Sequence, residues 1–332
     1  MLNYRPKSLS EFIGQPRVKK ELSIYLSSIK QRNGIFPHTF FIGAPGLGKT
    51  TLARIIAYEL RRDLKITSGP VLDKTGTLAA VLTNLKEGDI LFIDEIHRMP
   101  KPCQEILYTA MEDFALDIVI GKGNASKTIR LSLPKFTLIG ATNKPNLCLS
   151  PLLDRFQLTF KLNYYKDEEL KEIIIKTGKL WKLKISNNSA LKLARASKGV
   201  PRQALNLLRR LREFMLLNAK NPEKEIIISE KNLDQFLKIL EIDDWGLGPE
   251  DRRCLLTLYK EFKGGPVGLS SLALSAQISP EELETLYEPA LIRLGLIART
   301  KRGRIITQKG LTYLKEKFNI EEKGEPLCLF SN

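Results

Sequence analysis

Two short stretches of the sequence carry residue types suited to phosphate chemistry. The first, GAPGLGKT at 43–50, ends in Lys49 and Thr50. Glycines at this spacing let successive backbone amides turn toward an anion, while the lysine and the hydroxyl reach the outer phosphates and a metal ion. The second, ILFIDE, places Asp94 and Glu95 at the end of an apolar run. An acidic pair there can orient a metal's water shell and polarise an attacking water, so the two stretches together predict nucleotide hydrolysis.

Other reactive side chains give weaker signals. His97 follows the acidic pair, and since the other histidine, His38, is far away in sequence, we interpret His97 as ordering the turn rather than as a ligand or a catalyst. Arg155, in SPLLDRF, lies just beyond the predicted sheet. Composition leaves open whether it acts on a neighbouring subunit's nucleotide or forms a simple salt bridge. The cysteines form no CxxC pair, which disfavours a zinc site or a disulfide framework. They are Cys103, Cys148, Cys254 and Cys328.

The elements around these residues predict an α/β fold. HTFFIG reads as a buried strand that runs into the glycine loop, and KTTLARIIAYELRR reads as the helix that leaves it. The alternation continues through strands at LKITSG, DILFIDE and KFTLIGAT, with helical patterns between them. This order predicts a mostly parallel sheet with helices on both faces, ending near Tyr165. One insertion, LDIVIGKGNASKTIRLSL, alternates apolar and polar residues on both sides of a turn and predicts a β-hairpin.

The rest of the chain divides into two further regions. Residues 167 to about 241 show only helical patterns, and DDWGLGPED then interrupts the periodicity. After a capping box at Ser279–Glu282, two β-like runs, LIART and RIITQ, flank the basic turn KRG. Helices followed by a basic hairpin are typical of a winged helix. We therefore predict a P-loop domain at 1–165 with an inserted hairpin at about 115–133, a small all-α lid domain at 166–242, and a winged-helix domain at 250–320.

The charge of the chain favours a polyanionic partner. Its 332 residues include 53 Lys plus Arg against 37 Asp plus Glu, a net charge of +16. Between positions 293 and 317 eight residues are basic and only Glu316 is acidic, which predicts phosphate contacts that do not read base sequence. A merely solvated basic face is the alternative. No apolar run approaches the ~18 residues of a membrane span, so neither export nor insertion is expected, and the predicted location is cytoplasmic.

With these motifs placed, the sequence resembles the bacterial RuvB family of AAA+ ATPases along nearly its whole length. The matching segments include RPKSLSEFIGQ, GAPGLGKTTLA, EGDILFIDEIHR, AMEDFALDIVIGKG, SPLLDRF, GVPRQALNLLRR and YEPALIRLGLIARTKRGR. MEDFALDIVIGKG is the most discriminating, because general AAA+ ATPases lack that hairpin. The resemblance implies a homohexameric motor that hydrolyses ATP with Mg²⁺ and translocates duplex DNA. It also implies branch migration of Holliday junctions in recombination and repair, together with RuvA and with RuvC in a larger complex.

The resemblance also implies roles for individual residues. The catalytic set is Lys49, Asp94, Glu95, the γ-phosphate sensor Asn143, the arginine finger Arg155 and the second sensor Arg202. The nucleotide-binding set is Tyr4, Arg5, Gly46, Gly48, Lys49, Thr50, Thr51, Glu112, Asp113, Phe114, Arg155, Tyr165 and Arg202. Thr50 and Asp94 would hold the metal ion. Arg299, Arg302 and Arg304 would contact DNA, and Ile118 and Ile120 would contact RuvA.

Three departures from the family pattern leave the hydrolysis residues in place. Asn143 and Lys144 stand where the family has threonine and arginine, Leu153 replaces an arginine, and Gln157 replaces a glycine. Two other functions share the nucleotide motif: an AAA+ protein remodeller or clamp-loader subunit, and a winged-helix regulator with a vestigial nucleotide site. The hairpin and the basic wing favour a DNA motor over the first, and the intact catalytic set disfavours the second.

Overall fold

The computed structural model of the protein describes residues 5–120, 127–217 and 225–319, with no side-chain description at 118–120 and 127–128. Tyr4, the centre of the predicted hairpin at 121–124 and Cys328 lie outside the described residues. The strands are β1 (Thr39–Ile42), β2 (Leu64–Ser68), β3 (Ile90–Asp94), β4 (Ala115–Ile120), β5 (Lys127–Ser132), β6 (Thr137–Thr142), β7 (Leu158–Lys161), β8 (Leu183–Ile185), β9 (Ile226–Ile228), β10 (Ile297–Thr300) and β11 (Gly303–Ile306). The helices are α1 (Pro16–Arg32), α2 (Lys49–Leu60), α3 (Thr75–Thr83), α4 (Lys101–Asp113), α5 (Ser150–Asp154), α6 (Asp167–Leu180), α7 (Asn187–Ala196), α8 (Pro201–Leu217), α9 (Glu230–Ile239), α10 (Pro249–Lys260), α11 (Leu269–Ser275), α12 (Pro280–Glu282), α13 (Glu288–Arg293) and α14 (Gln308–Phe318).

A five-stranded parallel sheet organises the first part of the chain, as predicted. Its strand order is β2-β3-β6-β1-β7. All six residues of β6 are buried, and the first four of β3 are buried as well. Strands covered on both faces read as continuous apolar runs, which is why these segments were recognisable in the sequence. Because β6 lies between β1 and β3, the carboxyl ends of these three strands are neighbours.

The inserted hairpin is present as an antiparallel pair of β4 and β5, separate from the parallel sheet. Its register runs from Ala115 opposite Ser132 to Ile120 opposite Lys127. On β5, Ile129 is 50% exposed and Leu131 is 40% exposed. Ile118 and Ile120 lie on β4, but their side chains are outside the described residues. The hairpin therefore presents apolar side chains to solvent along β5.

Contacts divide the chain into two compact units. The first comprises 1–181 with 200–202, and the second comprises 182–199 with 203–332. Residues 166–242, the predicted lid region, are mostly helical as predicted, with one addition that the sequence analysis missed. Residues 183–185 and 226–228 form a parallel two-stranded pair, β8 with β9. Ile226 and Ile228 are buried while Ile227 is 65% exposed, so three β-branched residues alternate as a short strand does. The predicted domain boundaries at 165, 242 and 250 stay predictions.

The winged helix is confirmed within the second unit. Strands β10 and β11 pair antiparallel around the predicted basic turn, and Val267 forms an isolated bridge to Arg304 on the other side of β11. Ser279 caps the following helix through the predicted capping box. The helix then makes a π-helical turn at Leu283–Tyr287 before α13, just ahead of Pro289, whose missing N–H cannot continue the α-helical hydrogen bonds.

Three further observations on the described residues concern the cysteine thiols, metal-binding groups and membrane-spanning helices. Cys103, Cys148 and Cys254 are free and buried, and burial raises the pKa of Cys148 to about 11 and that of Cys254 to about 12. Their thiols are therefore protonated at neutral pH. No group of three or more His, Cys, Asp or Glu side chains among the described residues is placed to hold a metal ion. Within the same ranges, none of the helices combines the length and the apolar character that a membrane crossing requires.

A buried ion pair lies within the second unit. Lys198, at the end of the lid's α7 segment, pairs with Asp251 in the first turn of α10, and their side chains are 16% and 1% exposed. Asp251 also accepts from the amide of Gly248 at 2.8 Å. Lys198→Met leaves this carboxylate buried without its charged partner, so we expect the free energy of unfolding to fall by about 3–5 kcal/mol. Urea unfolding of the full chain measures the effect.

The matched control for this prediction is Lys192→Met. Lys192 pairs with Asp234 at 2.9 Å, but these side chains are 41% and 57% exposed. An exposed pair contributes about 0–1 kcal/mol, so the control variant should unfold close to wild type. If the free energy of unfolding fell equally in the two variants, the buried Lys198–Asp251 pair would contribute no more to stability than an exposed pair, contrary to the prediction.

Candidate nucleotide site and nucleic-acid interface

The glycine loop between β1 and α2 adopts the conformation that its sequence predicts. Gly46 and Gly48 have φ angles of 84° and 104°, in the left-handed region where a side chain is strained. Gly46 also packs closely, since a Cβ at this position would lie 2.8 Å from Cβ of Arg202. The amide of Arg202 donates to the carbonyl of Gly46 at 3.4 Å. The structure therefore brings Arg202, predicted as a sensor, directly onto the loop.

Lys49 begins α2 and is 8% exposed. Its Nζ donates to the carbonyls of Gly43 at 2.7 Å and Ala44 at 3.0 Å. Burial lowers the pKa of Lys49, Asp94 acts in the opposite direction, and Arg202 lowers it further. An ammonium group beside a glycine loop, at the N-terminus of a helix, fits the phosphates of a nucleotide.

The acidic pair lies at the carboxyl end of β3. Asp94 is the last residue of the strand, and its Oδ1 accepts from the amide of Glu95 at 3.0 Å. Glu95 has a φ of 48° and a side chain that is 51% exposed, with Oε2 3.0 Å from Nη1 of Arg98. Thr50 and Asp94 would supply oxygen ligands to Mg²⁺, which would take its remaining oxygens from phosphates and water. The residues present therefore fit a magnesium nucleotide.

A hydrogen bond joins the acidic segment to the neighbouring strand β6. Nδ1 of His97 lies 2.8 Å from Oγ1 of Thr142, which also accepts from the amide of Lys144 at 2.9 Å. Asn143, the predicted sensor, stands between these two residues in the chain. Burial lowers the pKa of His97, which favours the neutral imidazole. The contact agrees with the turn-ordering role predicted for His97, and it ties the segment of Glu95 to that of Asn143.

The other side of the glycine loop is covered by residues from the beginning of the chain and from the segment that follows the sheet. A Cβ on Gly48 would lie 3.0 Å from the ring of Phe12, and one on Gly14 would lie 2.4 Å from the ring of Tyr165. The Tyr165 hydroxyl donates to the carbonyl of Leu47 at 3.4 Å, and burial raises its pKa well above the usual range. Arg5 is exposed and makes no hydrogen bond within the described residues. Phe12 is a loop contact that sequence reasoning missed.

The remaining predicted nucleotide residues lie at the opposite edge of the sheet. His38, immediately before β1, accepts from the amide of Leu138 at Nδ1 and contacts the carbonyl of Met111 through Nε2 at 3.2 Å. Its ring also lies 6.1 Å from that of Phe114. The end of α4, with Glu112, Asp113 and Phe114, is thereby fixed at the amino ends of the strands. The structure does not bring these three residues to the glycine loop.

Arg155 shares this second location. It precedes β7, whose first residue, Leu158, donates its amide to the carbonyl of His38 at 3.2 Å. Nη2 of Arg155 lies 2.6 Å from Oε2 of Glu112, so the salt bridge considered from the sequence is present within the chain. The glycine loop follows the carboxyl end of β1, which is four residues long, or about 13 Å. Arg155 therefore lies at least a strand length from the loop of its own chain.

The basic wing holds two of its three predicted DNA residues in ion pairs. Nη2 of Arg299 lies 2.8 Å from Oε2 of Glu288, and Nε of Arg304 lies 3.0 Å from Oε1 of the same carboxylate. The Arg299 side chain is 50% exposed, whereas that of Arg304 is 12% exposed. Arg302, in the turn, is exposed. Direct DNA contact by all three residues stays a prediction. The burial of the Arg304 side chain disfavours direct contact between this residue and DNA.

Family models match three consecutive parts of the chain. The model described as Holliday junction DNA helicase RuvB P-loop domain matches residues 4–162, the RuvB AAA lid domain matches 165–243, and the RuvB C-terminal winged helix domain matches 244–315. Together they account for most of the 332 residues.

Similar proteins and structures carry the same name. The chain is 47% identical over 310 residues to the Holliday junction branch migration complex subunit RuvB of Fervidobacterium nodosum, covering 93% of this chain and 88% of that protein. It is 46% identical to the RuvB subunit of Thermotoga maritima, covering 94% and 92%. A solved structure of the Thermotoga maritima RuvB Holliday junction branch migration motor superposes with a TM-score of 0.82 at 43% identity, covering 94% of this chain and 98% of that one.

Proposed function

The chain belongs to the RuvB family of Holliday junction branch migration subunits, and on that premise we propose that it hydrolyses ATP with Mg²⁺ in a ring of identical subunits. As a member of that family it is a P-loop helicase subunit that acts in DNA recombination and repair, within a complex that contains other proteins and DNA. The finer assignments that follow concern the nucleotide, the residues, the ring and the partners.

One half of the hydrolysis site lies around the glycine loop. Lys49 neutralises the outer phosphates, Thr50 and Asp94 hold Mg²⁺, and Glu95 polarises the attacking water. Asn143 offers its amide to the γ-phosphate, and Arg202, the second residue of α8, contacts the same phosphate as the second sensor. When bound, Mg²⁺ would offset the negative charge that develops on the phosphates during hydrolysis. Tyr4 and Arg5 line the adenine side of the site, and Tyr165 is a further nucleotide-side residue, as the resemblance implies.

The observation that carries the proposal is that the predicted site residues lie at opposite ends of the parallel strands of one sheet. Arg155 and Glu112 lie at the amino ends of the strands, and the glycine loop lies at the carboxyl ends. An arginine that assists phosphoryl transfer must reach the γ-phosphate. A head-to-tail ring places the amino edge of one subunit against the carboxyl edge of the next, so Arg155 acts on a neighbour's nucleotide.

The same geometry supports the proposed partners. Glu112, Asp113 and Phe114 complete the neighbour's site beside Arg155. The hairpin of β4 and β5, with Ile118 and Ile120 on β4 and exposed Ile129 on β5, forms an apolar docking surface for RuvA. The basic wing contacts duplex DNA at the junction, and RuvC joins the complex at resolution. A hexamer working in the cytoplasm is the assembly that we propose.

Steady-state ATP hydrolysis, measured with and without duplex DNA and purified RuvA, tests the function. A DNA motor requires a rate that rises with DNA and rises further with RuvA. A rate that ignores both and increases with a folded protein substrate would replace the motor with an AAA+ protein remodeller. Nucleotide binding without turnover under every condition would indicate a regulator instead.

A further inference from the structure

The wing places two arginines directly opposite each other. Arg299 on β10 and Arg304 on β11 are Cα partners in the antiparallel register. Like charges at directly opposed positions destabilise a strand pair. The backbone of Arg304 is fixed on its other side as well, because it exchanges hydrogen bonds with Val267 at 2.8 and 3.0 Å. The opposed guanidinium groups therefore need a compensating partner.

Glu288, the first residue of α13, supplies that partner. Its Oε1 accepts from Nε of Arg299 at 3.1 Å and from Nε of Arg304 at 3.0 Å. Its Oε2 accepts from Nη2 of the two arginines at 2.8 and 3.2 Å. The carboxylate is 1% exposed and shares a small apolar surrounding with Leu283, Leu291 and Ile297. Burial acts to raise its pKa, but the two guanidinium groups outweigh burial and lower it. Glu288 is therefore ionised, and each of the two arginines donates two hydrogen bonds to its carboxylate.

The charges and the hydrogen-bonding edges of this triad are unequal. One buried carboxylate faces two guanidinium groups, so one positive charge remains around it, and the exposed Glu284, 3.7 Å from Nη2 of Arg299, opposes that charge only weakly. A guanidinium carries five N–H donors in a planar fork, and Glu288 occupies only the edge formed by Nε and Nη2. Arg304 is 12% exposed, whereas Arg299 is 50% exposed. The remaining charge and the unoccupied edge, formed by Nη1 and Nη2, are therefore most accessible on Arg299.

We propose that Glu288 is a positioning residue for DNA binding, holding Arg299 so that its Nη1 and Nη2 edge takes a phosphate of duplex DNA. Arg304 neutralises the buried carboxylate, so the charge of Arg299 is otherwise opposed, among the described residues, by the exposed Glu284. Planar, two-point recognition of phosphate depends on the orientation of the guanidinium group as well as on its charge. The inference rests on the proposed function of the wing as a DNA contact.

The test compares two acidic residues near Arg299. Glu284 lies 3.7 Å from Nη2 of Arg299, but its side chain is 43% exposed and it makes no hydrogen bond with that arginine in the described residues. If electrostatics alone mattered, both Glu284→Gln and Glu288→Gln would tighten DNA binding, since each removes a negative charge. Positioning predicts opposite outcomes: Glu284→Gln binds as wild type or more tightly, and Glu288→Gln binds about tenfold more weakly.

Fluorescence anisotropy of a labelled duplex with the full chain, titrated at several salt concentrations, provides the readout. Arg299→Lys keeps the charge but loses the planar guanidinium, so the affinity of this variant for the duplex should also fall several-fold. If Glu288→Gln does not fold, the proposal is tested with Arg299→Lys instead. Arg299→Ala should reduce the slope of log affinity against log salt by about 0.9. Wild-type or tighter binding by folded Glu288→Gln, or wild-type binding by Arg299→Lys, would overturn the proposal.

The failure of the underlying function is distinguishable. If Arg299→Ala and Arg302→Ala both bind duplex as wild type does, then the wing does not contact DNA and the proposed interface is wrong. If those variants weaken binding while Glu288→Gln and Arg299→Lys do not, the wing contacts DNA and only the positioning role of Glu288 is wrong.

Discussion

Replacing Arg155 with alanine is expected to lower the rate of ATP hydrolysis about 10³-fold or more, the usual contribution of an arginine finger. The physical reason is that a guanidinium reaching the γ-phosphate stabilises charge that develops only in the transition state. Arg155 lies at the amino edge of the sheet, paired with Glu112 at 2.6 Å, and makes no contact with its own glycine loop in the described residues. Nucleotide affinity should therefore change much less than turnover. Steady-state hydrolysis and fluorescent nucleotide binding measure the two quantities.

Arg62→Ala is the matched control for this prediction. Arg62 immediately precedes Asp63 and β2, so it lies at the same edge of the sheet as Arg155, and its guanidinium packs against Gly88. Removing it changes the charge of that edge by the same amount. Its hydrolysis rate should stay within about twofold of wild type, as expected for a surface substitution away from the chemistry. Equal rates for the Arg155 variant and wild type would exclude the finger role.

Glu95→Gln has the second large effect. Glutamine keeps the size of the side chain but cannot accept a proton from the attacking water, so hydrolysis should slow by about 10²- to 10⁴-fold. Lys49 and the loop amides are unchanged, so ATP and Mg²⁺ should still bind. Single-turnover hydrolysis separates the chemical step from binding.

Arg98→Ala controls for the ion pair that Glu95 makes. Nη1 of Arg98 lies 3.0 Å from Oε2 of Glu95, and both side chains are more than half exposed. Removing the arginine abolishes the pair but leaves the acid, so only a small change in rate is expected. If the Arg98 variant lost as much activity as Glu95→Gln, the pair rather than the carboxylate would matter. Retained turnover in Glu95→Gln would move the base elsewhere.

The parts of the fold that the sequence predicted are those specified by local pattern. The glycine loop, the strand that ends at Asp94 and the hairpin of β4 and β5 each carry their signal within a few consecutive residues. Strands β8 and β9 were missed because each has three residues and pairs with a partner some forty residues away, inside a region of helical periodicity. Three β-branched residues at 226–228 are a weak local signal, and the pairing itself leaves none.

Side-chain partners separated in sequence were harder to predict than the motifs themselves. Glu112 and Arg155 come together only because β1 and β7 pair in parallel. The hydrogen bond between Leu158 and His38 brings the segment of Arg155 next to the segment before β1. The arginines of the wing stood out by charge, but their shared partner Glu288 did not. Glu288 lies between Tyr287 and Pro289 in an ordinary helical pattern, and only the fold shows that it is buried.

Subunit mixing tests the shared site most directly. Lys49→Ala lacks the phosphate lysine and keeps Arg155, while Arg155→Ala keeps the lysine and lacks the finger, so each variant alone should be inactive. In a mixed ring, an Arg155→Ala subunit can receive the finger of a Lys49→Ala neighbour, and about a quarter of the interfaces are then complete at equal mixing. We predict that hydrolysis recovers when the two inactive proteins are combined. Absence of any recovery, in mixtures shown to form rings, would contradict a hydrolysis site shared between subunits.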